Sequence, residues 1–82
     1  MRLEIPGYEY FAAKNLFSGN KGMFNFKIFP SDTDMTVKIW FGAFCLERSQ
    51  VEREEHFAMD QNGYAAMCEW LERAEREARQ ED

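Results

Sequence analysis

At 82 residues the chain has the size of one small domain, and a domain that short buries only about 60% of its unfolded surface, which leaves little stability to spare. Eight Phe, three Tyr and two Trp within a 45% hydrophobic composition can fill a core without disulfide staples, and a net charge of −5 disfavours binding to phosphate backbones. Two prolines, two cysteines and a longest apolar run of Trp40 to Leu46 argue against wholesale disorder, a disulfide framework and a membrane span.

Tyr8 to Phe17 reads as a short helix. Pro6-Gly7 precedes it and Ser18-Gly19 can end it. Tyr8, Phe11, Ala12 and Leu16 would share one side. A strand through Tyr8-Glu9-Tyr10-Phe11 is the alternative, because aromatic residues also favour strands. Gly19-Asn20-Lys21-Gly22 then reads as a break.

Met23 to Pro30 is a strand in which Phe24, Phe26 and Ile28 alternate with Asn25 and Lys27. Met35 to Leu46 is a second strand, with Met35, Val37, Ile39, Phe41, Ala43 and Cys45 on one face. A Ser31-to-Asp34 loop would pair Pro30 with Met35, and so Ile28 with Val37, Phe26 with Ile39 and Phe24 with Phe41. A slip of one residue destroys this apolar match, so the register is well specified.

The opposite face carries Asn25, Lys27, Phe29, Thr36, Lys38, Trp40, Gly42, Phe44 and Leu46. Lys27 falls opposite Lys38, which is unfavourable unless the stems splay or a ring or acid intervenes. Trp40 is placed for a cation–π contact with Lys27. Left uncovered, Trp40, Phe44 and Leu46 would form an exposed apolar patch. They would serve as partner-binding anchors or a homodimer seam, or else be buried.

Val51 to Met59 is a third strand. Phe57 and Met59 alternate with His56 and Ala58, while Glu52, Arg53, Glu54 and Glu55 give it the charges of an edge. Asp60 is a good N-cap for the last helix, which starts at Gln61, or near Tyr64 if Asn62-Gly63 prolongs the turn. Tyr64, Met67, Cys68, Leu71, Ala74 and Ala78 make its apolar stripe, with Trp70 at the margin. Glu69–Arg73, Glu72–Arg76 and Glu75–Arg79 are i,i+4 pairs with the acid first. Residues 79–82 are expected to fray. The expected architecture is a single α+β domain over 1–82 in the order α-β-β-β-α. A short N-terminal and an amphipathic C-terminal helix pack on one face of a three-stranded antiparallel sheet.

Little in this pattern suggests catalysis. His56, the one histidine, has no evident nucleophile beside it in sequence. Cys45 and Cys68 fall in apolar stripes, where thiols are inert. The Glu52, Glu54 and Glu55 cluster lacks the regular spacing and turn glycine of a calcium loop. Gly19 to Gly22 does not match a phosphate-binding loop. No metal, cofactor or enzymatic role is expected.

Charge is the more telling signal. Residues 1–46 hold five basic and four acidic side chains, a net +1, whereas residues 47–82 hold five basic and eleven acidic, a net −6. Carboxylates on a helix and a strand edge can stand in for phosphates, and an acidic surface attracts a basic one. The expectation is a non-catalytic acidic protein that binds a partner with a basic surface, without touching nucleic acid or membrane itself. Glu52, Glu54, Glu55, Glu69, Glu72 and Glu77 are the candidate contacts, with Trp40 and Phe44 as apolar anchors. A homodimer or accessory subunit joined through the open sheet face is the alternative. Met1 to Pro6 has no apolar run like a secretion signal, so a cytoplasmic location is expected.

In size, acidity, aromatic-rich strands and its Glu/Arg helix, the chain resembles the small inhibitors of phages and mobile elements, notably anti-CRISPR proteins. The likeness is one of size and composition, with no motif behind it. It implies an inhibitor that occupies the nucleic-acid-binding surface of an effector in the cytoplasm of a host cell.

Overall fold

The computed structural model describes residues 3–42 and 50–80. The chain is α+β. Its elements run α1 (Tyr8–Ala12), β1 (Phe17–Lys21), β2 (Phe24–Pro30), β3 (Asp34–Phe41), β4 (Arg53–Ala58) and α2 (Gln61–Gln80). Among the described residues four strands form one antiparallel sheet in the order β1-β2-β3-β4. The expectation of three strands is therefore corrected by β1.

Two local features explain the extra strand. The first is an early end to α1. Ala13 N–H donates to the Glu9 carbonyl at 3.1 Å and Lys14 N–H to the Phe11 carbonyl at 2.9 Å. Lys14 itself adopts a left-handed φ of 68°, the conformation that closes many helices. The helix thus stops five residues short of Phe17, and Leu16, expected on its apolar side, is 54% exposed. The second feature is that the two glycines of the expected break do different work. Gly22 has a φ of 60° and is the first of two residues between the paired Lys21 and Phe24, as a type II′ hairpin turn requires. Gly19 instead lies within the strand, where the Phe26 ring fills the space a side chain would take.

The central hairpin has the register that the apolar pattern specifies. Phe24 pairs with Phe41, Phe26 with Ile39, Ile28 with Val37 and Pro30 with Met35. Its loop is closed by Ser31, whose N–H donates to the Asp34 carbonyl at 2.7 Å and whose hydroxyl accepts the Asp34 N–H at 3.1 Å. At the other end, Asn25 is buried and its amide donates to the carbonyls of Met23 and Gly42, each at 3.0 Å. Only a residue with two side-chain donors can serve two strand-end carbonyls in this way.

The helices cover one face of the sheet. Phe11 of α1 and Met67, Leu71 and Ala74 of α2 join Phe24, Phe26, Ile28, Met35, Val37 and Ile39 in one buried cluster. Helix α2 follows the expected stripe, with Tyr64, Cys68, Trp70 and Ala78 packed at its margins. It begins at Gln61 rather than near Tyr64. The Asp60 carboxylate accepts the Gly63 N–H at 2.6 Å, and the Asp60 carbonyl accepts the Tyr64 N–H at 2.9 Å, an N-cap arrangement. Glu69 and Arg73 make their expected pair at 3.1 Å. Glu75 is buried and lies 3.5 Å from Lys21 of β1, while the Arg79 side chain of its expected pair lies outside the described residues. The last helical turns remain engaged with the sheet as far as Glu77 and Ala78, while the side chains of residues 79–82, expected to fray, lie outside the described residues.

The N-terminal segment is fastened to α2 by Tyr64, whose hydroxyl donates to the Pro6 carbonyl at 2.6 Å. Burial, reinforced by the neighbouring Cys68 and the charge of Glu9, pushes the Tyr64 phenol up to about 12. Burial also pushes the Cys68 thiol up. A folded-state value above the ordinary 10 favours the neutral phenol, so its contribution is whole below pH 10 and is lost as pH rises toward 12. Urea midpoints should therefore fall with increasing pH over that interval. Tyr64→Phe should flatten the fall while costing about 1 kcal/mol at neutral pH through the missing hydrogen bond. An unchanged alkaline slope in the variant would assign the loss to other groups.

Candidate interaction surface

Strand β4 is the charged edge anticipated by its composition. Among the described residues it pairs on one side only, with Lys38 opposite Glu54, Thr36 opposite His56 and Asp34 opposite Ala58. This register puts Glu54 and His56 on the face away from the helices and Arg53, Glu55 and Phe57 on the helix-bearing face. Phe57 anchors the strand, its ring 5.6 Å from that of Trp70. Ahead of the strand, Glu52 N–H donates to the Ile39 carbonyl at 2.8 Å.

The six candidate glutamates are not all brought together. Glu52, Glu54 and Glu55 are exposed along the β4 edge. Glu77 reaches them from α2 through Arg53, at 3.0 Å. Glu69 stands on the outer side of α2, 72% exposed and paired with Arg73. Glu72 lies by helical spacing on the flank of α2 that carries Cys68 and Glu75. The acidic surface is therefore an edge built from Glu52, Glu54, Glu55 and Glu77, with Glu69 and Glu72 apart from it. Arg53 and Lys38 lie among these acids, the first 3.0 Å from Glu77 and the second 4.0 Å from Glu54.

The apolar anchors fare differently. Trp40 is only 6% exposed and has further contacts of its own, which agrees with the buried alternative for this ring and not with the exposed one. Phe44 and Leu46, like Cys45, lie outside the described residues. Phe41, assigned to the core, is 45% exposed at the sheet's end, where it meets Phe24 at 5.8 Å.

The open face holds two arrangements, one foreseen in part and one absent from the sequence reading. Lys27 does lie opposite Lys38. The ring that intervenes is Phe29, with the ammonium groups 5.3 and 5.4 Å from its centroid, and not Trp40. Pairing the two strands already placed Phe29 diagonally from Lys38 and two residues from Lys27, so the register carried this signal. The second arrangement surrounds His56. Its Nδ1 is 2.9 Å from the Thr36 hydroxyl and 3.7 Å from Asp34, and its Nε2 is 3.4 Å from Glu54. Hydroxyl, imidazole and carboxylate stand in the order of a catalytic relay. Yet the imidazole is 56% exposed on a sheet face, where water reaches every member. The contacts do fasten β4 to β3, which suits a cross-strand role.

Among the described residues, no group of three or more His, Cys, Asp or Glu is placed to hold a metal ion. Nor is any helix among them long and apolar enough to cross a membrane. Comparisons with family models, with curated proteins and with solved structures found no match.

Proposed function

We propose that this chain is a non-catalytic binding protein whose acidic β4 edge docks on a basic surface of a protein partner. An inhibitor of the anti-CRISPR type would dock in this way on a nucleic-acid-binding effector. One observation carries the reading. Glu54 and Glu55 are exposed on the edge strand β4 and Glu52 just ahead of it, with half-exposed Glu77 tied beside them by Arg53. A strand held by its register and by flanking cations presents carboxylates at little entropic cost. Opposite charge on the partner speeds their encounter.

The test is capture of a partner from native host lysate, followed by measurement on the purified pair. Replacing Glu52, Glu54 and Glu55 together by lysine should weaken binding about tenfold or more in low salt, mainly by slowing association. The difference should shrink as salt is raised. A triple variant that stays folded and binds as wild type at low salt would remove the acidic edge from the account. For the inhibitor version, an effector's binding to its target DNA should fall when this protein is added. Undiminished DNA binding across a panel of CRISPR effectors would eliminate that partner class.

A further inference from the structure

We propose that the outer edge of β1, which pairs with no further strand among the described residues, is a self-association surface, through which two copies of this chain join their sheets by antiparallel β1–β1 pairing. The two edges of the sheet are unlike. The β4 edge carries Arg53, Glu54, Glu55 and His56 in succession, the charged side chains that keep another strand away. The β1 edge, Phe-Ser-Gly-Asn-Lys, has a single charge, Lys21, and that ammonium is turned to Glu75 at 3.5 Å. Ser18 and Asn20 are exposed.

Hairpin geometry decides which backbone groups are free. Lys21 and Phe24 close a two-residue turn, and such a closing pair exchanges its hydrogen bonds. By alternation Phe17, Gly19 and Lys21 point their N–H and C=O groups at β2. Ser18 and Asn20 point theirs outward. The next strand agrees in phase, because the Met23 carbonyl accepts the Gly42 N–H at 3.0 Å on the side facing β3. Two outward residues two positions apart form a self-complementary set. Ser18 of each copy can pair with Asn20 of the other about a two-fold axis at Gly19, an isologous contact.

Side chains and charge favour a second copy in that register. Leu16 and Met23, 54% and 60% exposed, flank β1 at its two ends. The pairing brings Leu16 of one copy against the Gly22-Met23 turn of the other, on both sides of the axis. It also keeps apart the two β4 edges, whose glutamates would repel: with β1 at the seam, both lie at the outer ends of the joint sheet. This surface is separate from the acidic edge, and the dimer would present that edge twice.

Sedimentation equilibrium over a concentration series, with amide hydrogen exchange on the same samples, tests the proposal. The mass should rise from 9.7 kDa toward twice that value with concentration. Exchange at Ser18 and Asn20 should slow about tenfold as it does so. Ser18→Pro removes one outward N–H at an edge position that tolerates proline, and Leu16→Lys replaces an exposed side chain without touching the core. Each should raise the dissociation constant about tenfold or more. A monomer at every concentration would overturn the proposal. So would a dimer that ignores Leu16→Lys and leaves the Ser18 and Asn20 amides unprotected.

Discussion

Gly63→Ala is expected to destabilise the protein by about 3 kcal/mol, although alanine is the better helix former by about 1 kcal/mol. Gly63 is buried in the first turn of α2, directly over β4. A Cβ built there overlaps the Ala58 carbonyl oxygen and lies 2.7 Å from its carbon and 2.8 Å from the Ala58 nitrogen. These are backbone atoms of a paired strand and have no rotamer through which to yield. Relief requires α2 to lift or β4 to shift. Lifting α2 strains the 2.6 Å bond between Gly63 N–H and the Asp60 carboxylate, and shifting β4 strains its ladder with β3. Overpacking costs about 1–3 kcal/mol and occasionally more; a clash with unyielding backbone lies above the ordinary range, at about 4 kcal/mol, which leaves about 3 after the propensity gain of about 1. In a domain this small, a net loss near 3 kcal/mol lowers Tm by about 12–24 °C. A thermal melt with Tm unchanged or raised would show that the helix start can move freely.

The elements legible in the sequence were those whose side chains alternate. The Phe24–Phe41, Phe26–Ile39 and Ile28–Val37 pairs followed from two period-two stripes that fit in one register only. Helix α2 followed from an apolar stripe with an Asp60 cap. Strand β1 was hidden because Ser18, Gly19, Asn20 and Lys21 offer no apolar alternation after Phe17. Its core-facing middle position is a glycine, whose missing side chain is supplied by Phe26 from the next strand. The end of α1 was hidden for a related reason. The left-handed residue is Lys14, where a glycine or asparagine would have announced the stop.

The candidate site was legible in composition but not in arrangement. Counting acids locates an excess after residue 46. It cannot show that Glu77 joins Arg53 from another element, that Glu75 turns to Lys21, or that Glu54 shares a face with Lys38 and His56. The two helix pairings depend on how α2 crosses the sheet and the Glu54–Lys38 pairing on the β3–β4 register, and no local spacing encodes either. Alternation put Trp40 on the face away from the helices, as found, yet said nothing of its burial.

Phe26→Ala should be the most damaging substitution in the sheet, at about 3–5 kcal/mol. The side chain is 1% exposed at the centre of β2, with the rings of Phe17 and Phe24 at 6.0 and 6.2 Å. Its removal takes away the transfer energy of a full aromatic ring and leaves a cavity between β1 and α2. Gly19 makes the effect diagnostic. A Cβ at Gly19 would come within 2.8 Å of Phe26 Cζ and 3.1 Å of its Cε1, so Gly19→Ala alone should also destabilise, by about 1–2 kcal/mol. Once the ring is shortened to leucine, that clash disappears and the added methyl fills part of the space. Gly19→Ala in a Phe26→Leu background should then be neutral or stabilising, a coupling of about 1–2 kcal/mol between the two sites. Urea denaturation of the four proteins in this cycle measures it directly. Additive losses would mean that Gly19 serves the flexibility of the hairpin and not the Phe26 ring.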